Sequence, residues 1–486
     1  MGAKGCFGTQ EIFGALSGLR AVDRTTWRIG ERREGIGAGK KTVQVAIEQD
    51  GEIRRILNKV AASKHADLEA WETALRAAVL SAGASVLEQL LQGIGSGRDS
   101  RGIVCECGAR MESQGLKPKE VLTILGSVTY RRSMFQCPAC QNTRYPGDEE
   151  LDIVETTRSP GLRRMMARAG SRSTFKEGRD DLKLYAGIEV SAKDIERVAE
   201  KMGQQMEVWA SQERRQILGD PQRLRSEKTI PILYVSYDGT GVPMTQEELA
   251  GRKGKQGDGS AKTREAKLGC IFTQTTTDVR GFPVRDPDAT SFVGAIESAE
   301  DFGWRIYGEA VRRGLSKAQR VVVLADGAQW IKNLAQMHLP EAKFIIDLYH
   351  ARQHVSELCK TLFIGNEKRM RQQRVRWWTD LDDGKVEKII RQALQYLPED
   401  AETKKKAEIE IHYLEKNAEY MRYAEFRAQA LFVGSGVVEA GCKTLIGQRL
   451  KQSGMEWSVR GANAIISLRC TLTSGRFEDY WESRAP

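Results

Sequence analysis

The chain has 486 residues, 40% hydrophobic and 29% charged, which at roughly 100 to 200 residues per domain means two to four domains with a real core and excludes both a single small module and global disorder. No apolar run approaches the roughly 18 residues of a membrane span, and Met1–Gly30 has no continuous hydrophobic segment of the signal-peptide kind, so the expectation is a cytoplasmic protein with no membrane partner. Lys plus Arg is 75 against 65 Asp plus Glu, a net +10 that favours a polyanionic partner, nucleic acid above all. In a reducing compartment the nine cysteines read as metal ligands or core residues rather than disulfides.

Residues 1–42 read as a flexible, Gly-rich basic leader. Gly35, Gly37, Gly39, Lys40 and Lys41 only superficially resemble a phosphate-binding loop, which would need Gly at Glu34 and Ser or Thr at Lys41. Across residues 43–100 the apolar positions Ile53, Ile56, Leu57, Val60, Leu68, Trp71, Leu75, Val79, Val86, Leu90 and Leu91 recur at helical spacing and predict two or three amphipathic helices. Residues 101–150 carry Cys105-Glu106-Cys107 and Cys137-Pro138-Ala139-Cys140, with a strand-like alternation from Thr129 to Phe135 between them. Two close cysteine pairs on either side of a hairpin suit tetrahedral zinc, although the first pair has one intervening residue where two to four are usual. Four thiolates would leave no open coordination position, so this zinc-ribbon-like module implies structural Zn²⁺; four buried free cysteines are the plainer reading.

Residues 151–225 have the cadence of a helix-turn-helix: Phe175–Ala186, a turn at Gly187, then Ser191–Met206, which Ser191 and Asp194 would cap. Lys193, Arg197 and Lys201 would face DNA from its exposed side, although two helices joined by a turn also occur in many folds that bind nothing.

From residue 226 the texture becomes alternating strands and helices. Strands are predicted at Ile230–Tyr237, closed by Asp238; Leu268–Thr273; Arg320–Ala325, closed by Asp326; and Lys343–Ile346, closed by Asp347-Leu348-Tyr349-His350. A helix from Glu297 to Arg313 separates the second from the third. Strands around a central helix, with acidic residues at converging edges, predict an α/β ribonuclease H-like catalytic domain. Its first part is 226–362 and its last part 427–486, separated by a stretch, 363–426, rich in charge and in helix formers. In the last part Gly434-Ser435-Gly436 breaks the chain, and Val437–Leu450 is helical in period with Glu439 in the first turn. The stretch Lys443–Arg476 holds six basic residues and one acidic, Glu456; Lys443, Arg449, Lys451 and Arg460 are its candidate phosphate contacts.

Asp238-Gly239-Thr240-Gly241-Val242-Pro243, Thr263-Arg264-Glu265-Ala266-Lys267-Leu268-Gly269, Ala325-Asp326-Gly327-Ala328-Gln329-Trp330, Asp347-Leu348-Tyr349-His350 and Gly434–Arg460 together resemble the signature blocks of bacterial insertion-sequence transposases of the ISKra family. The resemblance covers roughly the last 260 residues, and several blocks in one order are more specific than any single motif. It implies a DDE transposase: Asp238, Asp326 and Glu439 as catalytic residues and as ligands of two Mg²⁺ or Mn²⁺ ions, with the Asp-x-x-His block, similar to one in Mutator-like transposases, supplying Asp347 and His350 as auxiliary residues; that ordering implies a helical insertion between Asp347 and Glu439, a role that 363–426 fits. The implied partners are element ends and target DNA, bound by a homo-oligomer in the nucleoid.

The chemistry asks for these residue types. Phosphodiester cleavage must ionise an oxygen nucleophile beside a negative phosphate and neutralise the leaving oxygen, which two hard cations about 3.5 to 4 Å apart accomplish; magnesium prefers oxygen ligands. Each acid also has a plain reading, since Asp238 and Asp326 precede Gly and could be turn residues, and Glu439 could be a solvated helix residue. Asp347 competes with Asp326 for the second aspartate. His350 could orient phosphate or simply pack, and His354 reads as the next helix turn. Trp330 and Trp457 could stack on an unpaired base, with core packing as the default, and Cys270, Cys359, Cys442 and Cys470 read as small core residues. The alternatives are a catalytically inactive DNA-binding protein derived from a transposase and a metal-dependent nuclease.

Overall fold

The computed structural model describes residues 67–93, 102–220, 229–254, 256–257 and 259–484, together with positions 55 and 58. The expected leader and the helical positions from Ile53 to Val60 lie outside the described residues. The chain divides after Ile94. In the first unit, helix α1 (Leu68–Gly93) takes in the expected helical positions from Leu68 to Leu91. By length and composition alone it could cross a membrane, a property the sequence hides because Arg76 and Glu88 interrupt its apolar run.

In the second unit, β1 (Glu112–Thr123) and β2 (Gly126–Gln136) form an antiparallel hairpin, and β3 (Thr143–Arg144) adds to the edge of β2. Then come α2 (Pro160–Arg172), α3 (Phe175–Asp181) and α4 (Ala192–Gly219). Ser159 caps α2 by accepting from the Leu162 N–H, and Ser191 caps α4 by accepting from that of Asp194. Gly187 takes the left-handed turn before α4, as the sequence suggested, but α4 runs on to Gly219. Its apolar stripe (Ile195, Ala199, Met202 and Met206) is fully buried, and Leu162, Met202, Leu268 and Tyr480 belong to one core. The helices of 151–225 therefore share a core with the strands that follow.

Those strands are β4 (Ile230–Pro243), β5 (Thr263–Gln274), β6 (Ser291–Ala295), β7 (Ala318–Ala325) and β8 (Lys343–Ile346), in the order β8-β7-β4-β5-β6. β4, β5 and β6 are an antiparallel meander; β7 and β8 run parallel on the other side of β4. Two strand expectations need correction. β4 does not end at Asp238, because β5 continues as its antiparallel partner from Asp238↔Leu268 to Pro243↔Thr263. Short β6 was not foreseen; five residues flanked by loops give too little alternation to read.

The period of two in a strand divides β4 between two cores. Leu233, Val235 and Tyr237 meet α5 (Ala299–Arg312) and α6 (Gln329–His338) through Phe302, Ile306, Ile331 and Leu334. Tyr234, on the other face, joins the large core, and Ser236 and Asp238 follow it in alternation. After β8 comes α7 (Leu348–Leu362); α8 (Glu367–Asp382), α9 (Val386–Leu394), α10 (Ala401–Asn417) and α11 (Tyr423–Ala428) then occupy the stretch expected to be a helical insertion, α11 ending two residues beyond it. The chain closes with α12 (Gly436–Gly441), a wide π-helical turn at Cys442–Gly447, α13 (Val459–Thr473) and α14 (Phe477–Glu482).

α4 and α13 cross at Gly203. A Cβ there would lie 2.0 Å from the backbone oxygen of Ala464, and a backbone oxygen in a packed helix cannot step aside. Gly203→Ala is expected to lower the urea midpoint by the equivalent of about 1–3 kcal/mol or more, the cost of overpacking a core; an unchanged midpoint would show that the helices separate freely.

Candidate active site and metal centre

The pairing of β4 with β7 brings the first two acids together. Ser236 lies opposite Leu324, so two residues further on Asp238 meets the level of Asp326, just past the end of β7. Asp326 enters a turn in which its Oδ1 accepts from the Ala328 N–H at 2.9 Å and its carbonyl accepts from the Tyr413 hydroxyl at 2.9 Å. Gly327 makes that turn with φ +84°, and a Cβ there would strike the Ile346 side chain at 2.7 Å. The third acid, Glu439, sits in α12 and accepts from the Ser435 hydroxyl at 3.2 Å. The chain on either side of it contributes Val438, Cys442, Leu445 and Ile446 to the core on the Asp238 face of the sheet.

Burial raises the Asp238 carboxyl above the ordinary aspartate range. The Cys442 thiol and the Gly239 N–H donate to it and pull it back, while the charges of Asp326 and Glu439 push it up again. Asp326 and Glu439, the other two acids expected from sequence, thus lie within electrostatic reach of Asp238. A half-buried cluster of like charge is costly to ionise, and bound cations would offset that cost. Cys442, read from sequence as a small core residue, is buried and touches Asp238.

Asp347 is placed differently. It is 1% exposed; its Oδ1 accepts from the His350 N–H at 2.7 Å as the cap of α7, and its Oδ2 accepts from the Ser435 N–H. Both oxygens are engaged in joining the end of β8 to the turn that launches Glu439. Because the two N–H donors use different oxygens, Asp347→Asn would turn an amide N–H₂ towards one of them. The expected loss is about 1–3 kcal/mol in denaturant unfolding, the cost of an unsatisfied buried group; no loss would contradict the anchoring role.

His350 points its electrostatics at the same pocket: burial, then the neighbouring His354, lower its basicity, and Asp326, Asp347 and Glu439 act in the opposite sense. His354 is more than the next helix turn, since its Nδ1 lies 2.6 Å from Glu410 Oε2 and its Nε2 3.2 Å from His350 Nε2. No pattern in the sequence links Glu410 or Tyr413 to the acids, because their proximity comes from how the insertion folds back.

Of the expected phosphate contacts, Lys193, Arg197, Lys201, Lys443, Lys451 and Arg460 are exposed. Lys193 pairs with Glu196, Arg460 donates to Gln204, and Lys451 donates to Thr240, two residues from Asp238. Arg449 must be corrected. It is fully buried, donates to the Gly170 carbonyl at 2.9 Å, and lies over the rings of Phe175 and Trp457 at 4.4 and 5.1 Å. A guanidinium stacks well on aromatic faces, and here that ties α3 to the last part of the chain. Trp457 is core, donating to the Leu450 carbonyl, and Trp330 is half-buried against Phe302 and Lys267.

The cysteine pairs converge. Cys105 Sγ lies 3.5 Å from Cys140 Sγ, and Cys107 Sγ 3.5 Å from Cys137 Sγ; all four sulfurs lie within 4.8 Å of one another. A zinc ion with four bonds of about 2.3 Å needs sulfurs about 3.8 Å apart, so the four can hold a metal such as zinc. The short first spacing works because Cys105 starts a tight turn, its carbonyl accepting from the Gly108 N–H and its N–H donating to Ala109. The backbone N–H of Cys140, helped by the Cys107 thiol and the Ala139 N–H, pulls the Cys137 thiol down to about 6, where the thiolate that binds metal forms at neutral pH. Metal analysis of the purified chain is expected to find about one zinc per chain, lost in Cys137→Ser together with protease resistance of residues 102–144; a metal content near zero in protein purified without chelator would contradict this.

The family described as an uncharacterised protein family, UPF0236, matches residues 72–483. A curated relative, the "UPF0236 protein in vanSb 3′region" of Streptococcus gallolyticus, is 22% identical over 385 residues, 77% of each chain. With nearly all of the described fold inside the match, from within α1 to the end of α14, the chain belongs to the UPF0236 family.

Proposed function

We propose that the chain is a DDE transposase that binds the ends of an insertion sequence and catalyses metal-dependent DNA cleavage and strand transfer through a ribonuclease H-like domain. The observation that carries this reading is the alignment of β4 with β7, which sets Asp326 beside Asp238 while Glu439 approaches from α12 on the same face. The sheet supports it as well: an antiparallel meander of three strands with two parallel strands added beside the first is the order expected of a ribonuclease H-like domain. So does the ISKra resemblance of the blocks that contain these acids.

Asp238, Asp326 and Glu439 offer only hard oxygen ligands, which suit magnesium or manganese. Bound there, a pair of such ions would lower the cost of forming the attacking alkoxide and the leaving one. The chain's own residues do the rest. Asp347 and Ser435 hold the turn before Glu439, the Tyr413 hydroxyl fixes the carbonyl of Asp326, and Cys442 orients the Asp238 carboxylate. Lys451, bonded to Thr240, places a positive charge near the acids for a DNA phosphate, and Lys193, Arg197, Lys201, Lys443 and Arg460 would meet phosphates elsewhere. In this reading water frees a 3′-hydroxyl at the element end, which then attacks target DNA in line, with no covalent protein–DNA intermediate. The four-cysteine module would hold structural Zn²⁺, the protein would act in the cytoplasm on the nucleoid, and pairing two DNA ends would call for a homo-oligomer.

The test is incubation of the full chain with labelled duplex carrying the sequences that flank its own gene, in Mg²⁺ or Mn²⁺. End cleavage and joined products are expected. Asp238→Asn, Asp326→Asn and Glu439→Gln should each lower the rate by about 10²- to 10³-fold, the equivalent of several kcal/mol of lost charge stabilisation, with end binding retained. Binding without cleavage in either metal would favour an inactive DNA-binding descendant, and nicks without joining a nuclease.

A further inference from the structure

The helical insertion reaches the acids through one face of α10. Glu410 and Tyr413, three residues apart, lie on neighbouring positions of a helix surface. Tyr413 donates its hydroxyl to the Asp326 carbonyl at 2.9 Å and stacks its ring on His354, with centroids 3.6 Å apart and planes 16° from parallel. Glu410 meets Nδ1 of the same imidazole at 2.6 Å. One helical turn on, Lys416 donates to Gln329 in the first turn of α6 at 2.7 Å, and Asn417 accepts from Lys332. The insertion thus grips the segment that follows Asp326 at several points.

These contacts decide where hydrogens sit. An ionised carboxylate only accepts, so the Glu410 contact assigns the hydrogen of His354 to Nδ1. The Nε2 of a neutral His354 is then bare, and at 3.2 Å it can only accept from His350 Nε2. The His350 hydrogen is therefore on Nε2, leaving Nδ1 as an acceptor. Burial and the neighbouring His354 lower the basicity of half-buried His350, which agrees with a neutral His350 ring. The α7 backbone is fixed in the same place, since the His350 N–H donates to Asp347.

We propose that Glu410 and His354 are positioning residues that hold His350 in a single tautomer at the edge of the three-acid pocket, its Nδ1 ready to accept a hydrogen bond from the attacking hydroxyl. This rests on the transposase reading for its reaction, though not for the chain of hydrogen bonds itself. The insertion, by this account, sets the hydrogen-bonding state of the reaction centre and does more than extend the surface.

Two measurements test it. The chain has five histidines, so full-length protein labelled with ¹⁵N only in histidine gives a small set of ring signals. A solvent-protected Nδ1–H signal from His354, shifted downfield by its carboxylate partner, is expected; it should vanish in Glu410→Ala and move in His350→Ala. Ring signals that all exchange as in free histidine, or that ignore Glu410→Ala, would overturn the chain whatever the protein's activity. In the cleavage assay, Glu410→Gln and His354→Gln should each slow single-turnover cleavage by about 10- to 100-fold, the usual effect of removing a residue that orients a histidine, with end binding and the melting temperature unchanged. His350→Ala should add little to either, because groups acting as one unit are not additive. Full additivity, or a loss that tracks melting temperature, would overturn the positioning role. Protein that shows the ring signals but never cuts would remove the reaction, with the reading it depends on, and leave the hydrogen-bonded chain intact.

Discussion

Bringing Asp238, Asp326 and Glu439 together from three separate elements is the constraint around which this end of the molecule is organised. Burial first, and the charges of Asp326 and Glu439 after it, raise the Asp238 carboxyl, so the fold must hold in place groups that would relax by separating. Each is held by a different device. Asp238 is locked in a strand paired on both sides, Asp326 by its own turn and the Tyr413 hydroxyl, and Glu439 by the Ser435 turn that Asp347 fastens. None of these devices lies on the same element as another, which is why acids 88 and 113 positions apart in sequence, from 238 to 326 and from 326 to 439, can meet.

Asp326 and Asp347 show how geometry separates two residues that sequence cannot. Both follow a parallel strand and both looked able to serve. Asp347 is 1% exposed and spends both oxygens on backbone N–H groups, as a capping carboxylate does. Asp326 spends only one, on a local N–H, and is half-buried. A carboxylate with free lone pairs can take a ligand; one saturated from within cannot without dismantling the turn it holds.

Much of this was legible in the residues. Hydrophobic alternation located β4, β7 and β8, the Asp326-Gly327 pair marked the end of β7 and its turn, and the cysteine spacing marked the four-cysteine cluster, because each of these is a local pattern with a local cause. The ring partners were not legible. His354 cannot be linked to Glu410 across a helical stretch whose fold is not encoded at short range, and nothing in the sequence sets Tyr413 apart from other helix aromatics. Arg449 was misread for a related reason: its basic neighbourhood suggested a phosphate, but its environment is set by Phe175 and Trp457, which come from opposite ends of the unit. Charge composition predicts what a surface attracts and cannot say which cations reach that surface.

The same long-range packing bears on how the upstream helices and the acids could act together. α4 carries the exposed Lys193, Arg197 and Lys201 on one side, and on the other it crosses α13 so closely that only glycine fits at position 203. α13 in turn follows directly on the segment containing Cys442 and Lys451, which touch Asp238 and Thr240. A helix packed backbone to backbone transmits displacement as a rigid body, because interiors are close-packed and do not compress. Any load placed on the cationic side of α4 is therefore borne by the same core that seats the acids, and the spacing between those cations and the carboxylates is fixed by the fold rather than by a linker.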